Sequence, residues 1–540
     1  MSSMKCSNLL DLAQELIDEI LCHIDKPRDL TAFALASHLC ANIAIPRHTE
    51  YRVICITRQR PNLWKHLARY PNLTSNIREV HIDFRKTRHG HLEKYPITLV
   101  DPVLDNSSGI SEQDVTENVY KAFAAMKRLT TTTWRGSGTA PSAVVSNEAR
   151  TFTVALTKLP SLQRLSLDCD RALRKELGSG AHPTGDISNL THLRFQGLPS
   201  VTPALAANIT RMLQNSPGLV HLHVQTSTLS LMAAPSACVL PMLITLSLDG
   251  NSRTSIVHFI QQHPTIEELR WAPTSVVHPF RPGSLPNCKR LRVSTYVLDA
   301  LESCCHLPSG QSHRSIEAIQ HEGVLAILGN DPYSYEFLDP ASLVVLRTPQ
   351  DLKTISAYAA RFPMIRWLDV IPRGRIPTWT MDEWVEALSQ FTHLETIGET
   401  NMYLDLVYTG EVTEPELIQK LALACPNLRY LNNFDLQQSE GHQLAIYRPT
   451  GEGADEGIDH DAVHYVVQKR RARSRQTVMF EPLQGDYDNS HSGYSEARAA
   501  RLAHSLASPP LTVGRLSKQE IRLRTACSHL RSIHDILSRR

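Results

Sequence analysis

One pattern of apolar and polar positions dominates the chain. An apolar anchor is followed by apolar residues three and five places later, with polar side chains between them. The clearest copies are LPSLQRLSLD from Leu159, SNLTHLRFQG from Ser188, SPGLVHLHVQ from Ser216, LPMLITLSLDG from Leu240, HPTIEELRWA from His263, LPNCKRLRVS from Leu285, FPMIRWLDVI from Phe362 and CPNLRYLNNF from Cys425. Weaker copies stand at Ser315, Ser342 and Thr392. Such alternation predicts a short strand with one face buried. The anchors are Leu162, Leu190, Leu219, Leu243, Ile266, Cys288, Ile316, Leu343, Ile365, Leu394 and Leu428, spaced 22 to 29 residues apart except for the last pair, 34 apart. Between them the period changes. Val201–Asn215, Ser255–Gln262, Gln350–Phe362, Met381–Phe391 and Pro415–Cys425 carry apolar residues at helical spacing, and several run into a proline that opens the next strand phrase. Strand then helix, repeated many times, predicts parallel strands stacked in chain order on the inside and helices on the outside.

A period of roughly 20–29 residues with leucine at the anchors resembles the leucine-rich repeat. The expected fold class is therefore α/β: a helical module at 1–52 followed by an irregular leucine-rich-repeat solenoid at 53–434. The array begins less regularly. YPNLTSNIREVHIDF, from Tyr70, alternates at Val80, Ile82 and Phe84; Val119–Leu129 has helical spacing; MKRLTTTTWRG suggests another strand. The polar stretches Asp101–Thr116 and GSGTAPSAVVSNEA read as loops. After Phe434, HQLAIYRP and AVHYVVQKRR alternate on either side of the acidic, glycine-rich TGEGADEGIDHD. That pattern predicts a capping hairpin at 435–473 over the edge of the last strand. Residues 474–540 are polar and broken by Pro509-Pro510, and are expected to be mostly disordered, with a basic amphipathic helix in Leu516–Leu537.

The first fifty residues follow a different rule. Leu12, Leu16, Ile17, Ile20, Leu21 and Ile24 form one helical face over Leu9–Ile24, and Pro27 ends that helix. A second helix is expected over Asp29–Asn42, with Asp29 as its N-cap. Two short helices bury too little to stand alone, so they need the repeats or a partner. The string LLDLAQELIDEILCHIDKPRDLTAFALASHLCANIAIPRHTEYRVICI resembles an F-box of the fungal F-box/leucine-rich-repeat family. Leu12, Glu15-Leu16, Ile20-Leu21 and Asp29-Leu30 match the family's phrase, as does the exit IPRHTEYR at Ile45–Arg52; Ala13 departs from it, standing where the family has proline. The resemblance covers about a tenth of the chain. It implies a Skp-type adaptor and cullin complex as partners, with Leu12, Ala13, Leu16, Ile17, Leu30 and Leu35 toward the adaptor or packed between the helices. It also implies a substrate-recognition role in a ubiquitin ligase whose other subunits perform the transfer. The alternative is a stand-alone interaction scaffold in which the hairpin only caps the solenoid.

The totals add exclusions. Net charge is +2, from 56 basic and 54 acidic residues, which gives no general drive toward nucleic acid or membrane. The 11 cysteines form no CxxC pair, a pattern that suits reduced thiols. Without a signal core or a membrane-length apolar run, a cytoplasmic protein is expected, with the basic Lys469–Arg475 as the feature that would suit nuclear import. No nucleophile elbow, P-loop or HExxH occurs. His89-Gly90-His91 sits among basic residues, and Cys304-Cys305-His306 reads as packing, so neither a metal nor a cofactor is expected and the chain is expected not to be an enzyme.

Substrate contact is expected from the side chains between the buried ones, which alternate onto the concave face. Candidates are Arg164, Arg194, His221, His223, Arg270, Arg290 and Arg292, with Trp367 and Tyr430 as aromatic anchors. A basic strip of this kind suits an acidic or phosphorylated protein segment. An ordinary polar sheet face, with Asp168, Asp249 and Asp369 offsetting the charge, explains the same residues without a ligand.

Overall fold

The structure is a computed structural model. It describes residues 9, 12–24, 27–45, 47–57, 60–84, 94–96, 111–136, 143–168, 173, 176–177, 183–197, 202–225, 238–250, 254–303, 315–321, 338–349, 352–371, 379–398, 402, 406, 412–433, 442–447 and 464–469. The description concerns the unit formed by Met1–Leu436 and His442–Gln468. The His89–His91 and Cys304–His306 clusters, the tail at 474–540 and all but the first residue of the basic run Lys469–Arg475 lie outside the described residues.

Among the described residues, sixteen strands make one sheet in strict chain order. They are β1 (Val53–Ile56), β2 (Glu79–Asp83), β3 (Thr131–Arg135), β4 (Arg164–Asp168), β5 (His192–Gln196), β6 (His221–Gln225), β7 (Thr245–Asp249) and β8 (Glu268–Trp271). There follow β9 (Arg290–Val293), β10 (Ala318–His321), β11 (Val345–Pro349), β12 (Trp367–Ile371), β13 (Thr396–Ile397), β14 (Tyr430–Asn433), β15 (His442–Tyr447) and β16 (His464–Lys469). Neighbours pair in parallel from β1 to β14. β15 then turns back antiparallel along β14. This is an α/β architecture of the leucine-rich-repeat kind, a large, mostly parallel sheet flanked by helices and preceded by a helical region.

The cause of this order is an apolar ladder. Leu165, Leu193, Leu222, Leu246, Leu269, Leu291, Ile319, Leu346 and Leu368 are register partners in succession. All are buried, as is every one of the eleven anchors. Burial of each such side chain contributes roughly 1.5–3 kcal/mol, and only a neighbouring repeat can supply the cover. The residue just before the anchor adds a directional link. Ser161, Thr265, Asn287, Ser342 and Asn427 donate side-chain hydrogen bonds to carbonyls of the preceding repeat, at Leu129, Leu243, Pro264, Ile316 and Thr392, over 2.8–3.1 Å. Helices return between strands where sequence caps allow: Thr202 caps Pro203–Gln214, and Thr380–Glu383 and Thr413–Glu416 are full capping boxes.

Three local expectations change. The helix expected at Val119 begins at Glu112, because Ser111 accepts from the Asp114 amide and caps it inside the polar stretch read as a loop. AVVSNEA is not loop but the start of the helix Ala143–Leu156. Its propensity is modest, and tertiary packing decides: Phe152 packs tilted against Trp134, ring centroids 4.8 Å apart, and edge-on against Phe123 at 5.5 Å. At the N-terminus, the second helix is two. Helix α1 (Gln14–Cys22) is followed by α2 (Pro27–Ala36) and α3 (His38–Ala44). Pro27 opens α2 rather than merely ending α1, which places Asp29 in the first turn instead of at the cap. Ser37 breaks the run, capping α3 by accepting from the Cys40 amide.

Ile17, Leu21, Leu30, Ala34, Ile43 and Ala44 form a small separate core for these three helices. Within the module Arg52 donates to the Ile24 carbonyl, and the buried His48 ring lies 3.2 Å from Asp18 and 4.0 Å from the Cys22 sulfur. Arg128 of the array donates to Glu19 of the module at 2.9 Å. The first edge of the sheet is also covered. Cys55 and Lys94 exchange backbone hydrogen bonds of 2.7 and 2.9 Å as an antiparallel bridge.

Thr132 occupies the ladder position between Val80 and Leu165, fully buried, and its hydroxyl has no hydrogen-bond partner. Replacing it with the equally shaped valine removes that desolvated group. Thr132→Val is expected to raise unfolding stability by about 1–2 kcal/mol, whereas Leu246→Ala, which opens a cavity in the middle of the ladder, is expected to cost about 2–5 kcal/mol. Urea denaturation of both variants checks the pair; destabilisation by Thr132→Val would count against the unpaired hydroxyl.

Candidate functional site

Two surfaces stand out. The first is the outer side of α1–α3. The i, i+4 spacing of Leu16 and Ile20 places them along one side of α1, and Leu12 stands just before the helix; all three are exposed, Leu16 to 55%. Leu35 on α2 is exposed to 80%, and Leu39, Ile45 and Leu9 are exposed as well. Ala13, also exposed, precedes α1 and serves it through its carbonyl, which accepts from the amides of Leu16 and Ile17 at 3.0 and 3.2 Å. The six residues expected at an adaptor face therefore divide. Leu12, Ala13, Leu16 and Leu35 face outward. Ile17 and Leu30, exposed only to 2% and 1%, are core residues of the hairpin and offer a partner nothing. Ile20 and Leu39 belong with the outward group. Helical periodicity had marked them as apolar, but it cannot say which side of a two-sided apolar helix meets its neighbour.

The second surface is the sheet face opposite the buried ladder. Residues two places after the anchors form one row, Arg164–His192–His221–Thr245–Glu268–Arg290, and residues four places after form another, Ser166–Arg194–His223–Ser247–Arg270–Arg292. Arg164 is exposed, and Arg194, His221, His223, Arg270, Arg290 and Arg292 are half-buried. Gln320 and Arg347 continue the second row on β10 and β11. They went unnamed in the sequence because their repeats carry weak phrases, although counting four places from Ile316 and Leu343 finds both.

The open face does not run the full length. On β10–β13 Ala318, Gln320, Val345, Trp367, Asp369 and Thr396 are buried. Trp367 is thus no open anchor. Its Nε1 donates to Asp369 Oδ1 at 2.8 Å, and both side chains lie against Gly398, where an added Cβ would stand 1.4 Å from that carboxylate oxygen. Asp369 therefore engages Trp367, and it is also the register partner of Arg347 on β11. Tyr430, on β14, remains exposed beyond the covered stretch.

Electrostatics divide the open face further. His192 and His221 stack with ring centroids 4.2 Å apart. Burial, His221 and Arg164 together bring the His192 imidazole down to about 4, and burial lowers His221 as well. Both are neutral near pH 7, so they are weak anion ligands. His223 lies 2.7 Å from Asp249, and that contact holds the Asp249 carboxyl below its ordinary range. The histidine half of the strip is neutral or already paired. The guanidinium half, on β8–β11, is where positive charge collects: Arg270, Arg290, Arg292 and Arg347 stand with Glu268 as the one carboxylate on that face of those strands.

Among the described residues no group of three or more His, Cys, Asp or Glu side chains is placed to hold a metal ion, and no helix is long and apolar enough to cross a membrane. A shallow groove of about 450 Å³ along the strand starts is lined by residues including Met242, Ile244, Glu267 and Lys289, with Lys289 and Glu267 paired at 3.0 Å.

No family model matches the sequence, and no curated protein matches it. Among solved structures, the chain is similar to a chain of the crystal structure of the Rad7–Elc1 complex in yeast. The identity is 12% and the TM-score 0.34, over 80% of this chain and 94% of that one. A likeness this slight is no basis for assigning a partner or an activity.

The stacked histidines set a pH dependence. The folded state holds His192 near 4 while a free imidazole takes its proton near 6.5. Below the free value the unfolded chain binds a proton that the folded chain refuses, so stability falls as pH drops from about 6.5 toward 4. Melting temperatures of the wild type and His192→Asn across pH 4–7.5 check this. The variant is expected to lose part of the acid slope, and an unchanged slope would rule out this pair as a contributor.

Proposed function

We propose that this chain is a non-enzymatic substrate-recognition subunit of a cullin-type ubiquitin ligase, with α1–α3 docking a Skp-type adaptor and the repeat face binding the protein to be modified. One observation carries the reading. A chain that buries the leucines of its repeats almost without exception leaves Leu12, Leu16, Leu35 and Leu39 exposed on one helical module. Exposed apolar groups gathered this way favour association, and the residues are those at which the sequence resembles an F-box.

The stand-alone scaffold has a specific observation in its favour, the ion pair of Arg128 in the array with Glu19 in the module. A cap, however, turns its polar side outward, and this module turns leucines outward. The same contact suits an adaptor platform, because it helps to fix the docking face relative to the repeats.

The full-length chain carrying Leu16→Asp and Leu35→Asp tests the proposal. Removing two leucines from an apolar interface costs about 3–6 kcal/mol, or more than roughly 100-fold in affinity. The double variant is expected to lose co-purification with a Skp-type adaptor while melting like the wild type. Leu30→Asp is expected to unfold the module instead, since that side chain is core. Undiminished adaptor capture by the double variant, or no capture by the wild type, would remove the adaptor from the proposal.

A further inference from the structure

We propose that the groove along the strand starts of β7–β10 is a docking site for an extended segment of a partner protein, one that presents an apolar side chain and, four residues along, a lysine or arginine. The groove lies outside the two rows of the open sheet face. The inference goes beyond the reading of α1–α3 as an adaptor platform and does not depend on it.

The first observation is an apolar cluster that the repeats do not need. Leu243 is the one anchor of the eleven with an apolar residue on each side, Met242 and Ile244. A methionine cannot donate the side-chain hydrogen bond with which Ser161, Thr265, Asn287, Ser342 and Asn427 tie their repeats back. The ladder of β7 is complete without either residue, since Leu243, Leu246 and Leu248 are all buried. Met242 is instead 55% exposed, Ile244 36% and nearby Val239 58%. Exposed apolar side chains gathered in this way favour association.

The second observation is an unpaired carboxylate at the other end of the same groove. The amides of Glu267, Lys289 and Glu317 donate in turn to the carbonyls of Ile244, Glu267 and Lys289 over 2.8–2.9 Å, which sets the four residues in a line across β7–β10. All four line the groove. Lys289 donates to Glu267 at 3.0 Å. Thr265 and Asn287, also in the lining, donate to the carbonyls of Leu243 and Pro264. Glu317 is half-buried, and its carboxylate makes no hydrogen bond or ion pair among the described residues. The lining therefore carries one negative charge in excess, at the β10 end, while its exposed apolar surface lies at the β7 end.

Length and charge define the occupant. Neighbouring strands lie about 4.8 Å apart, so three intervals separate the two ends by about 14 Å, the reach of roughly four extended residues. Residues four apart in an extended segment point to the same side, so one apolar and one cationic side chain meet both ends together. Four residues of helix advance only about 6 Å, too short a step for this pair of contacts. The negative excess disfavours nucleic acid and anionic lipid. At about 450 Å³ the groove holds a few side chains rather than a folded domain.

The test uses the full-length chain and two peptide libraries. One fixes Leu, Met or Phe and, four residues along, Lys or Arg; the other has Glu in place of the cation. The wild type is expected to retain the cationic library about 5-fold or more over the acidic one. Glu317→Lys is expected to reverse that preference. Met242→Ser with Ile244→Thr is expected to lower retention of both libraries without lowering the melting temperature, because the ladder is untouched. No retention of the cationic library by the wild type would overturn the proposal, as would equal retention of the two libraries or an unchanged preference in Glu317→Lys. Self-association of the wild type in sedimentation, lost in Met242→Ser with Ile244→Thr, would assign the groove to a second copy of the chain and overturn it as well. Leu16→Asp with Leu35→Asp is expected to retain the cationic library like the wild type, so failure here and failure at α1–α3 are separable.

Discussion

Everything in this molecule depends on one constraint: a strand of four or five residues cannot bury its own apolar side. Each repeat brings only a few ladder residues, such as Leu246 and Leu248 on β7, and these are covered only when β6 and β8 lie alongside in register. The parallel order, the returning helices and the small donors before the anchors are all ways of meeting that demand. A one-residue slip would send Leu246 to the open face and Thr245 into the core, so register is tightly specified. With the register set, the positions of all outward side chains follow, because they are the ladder's alternates. The pattern of the outward face is therefore set by the core.

The two candidate surfaces are departures from this logic in opposite senses. On α1–α3 apolar residues are left uncovered, while a distinct small core of Ile17, Leu21 and Leu30 holds the helices together. On β8–β11 like charges are left adjacent, while Gln320 holds two of them at a common point. The first arrangement exposes apolar surface, and the second brings two guanidinium groups onto one buried amide oxygen. Between them the stacked histidines on β5–β6 show the sheet absorbing polar groups by keeping them uncharged.

Sequence periodicity sufficed for the array because its signal repeats. Even weak phrases such as SLVVLRT around Leu343 could be placed by the distance to their neighbours. It failed where structure is decided by contacts far apart in the chain. AVVSNEA has no strong helical preference and folds as helix because Phe152 meets Trp134 and Phe123. Ile17 and Leu16 are adjacent and both apolar, and nothing in their order tells which faces Leu30. Trp367 follows the alternation rule and belongs to the right row, yet it is closed off by a hydrogen bond to Asp369 and by the bare backbone of Gly398. Arg347 and Gln320 were legible from the anchor count; their convergence required the pairing of β9, β10 and β11.

The separation of anchors from their alternates has a consequence for how such a protein can change. Substitutions two or four places after an anchor alter what the face presents and leave the ladder intact, so Thr245 or Ser247 on β7 can vary without touching Leu246 and Leu248. Each repeat is then a site of nearly independent heredity, and a lineage can revise one strip of the face at a time. Gly398 is an exception. Any side chain there collides with Asp369, so the stretch around Trp367 is frozen as a unit while its neighbours to the N-terminal side remain free to drift.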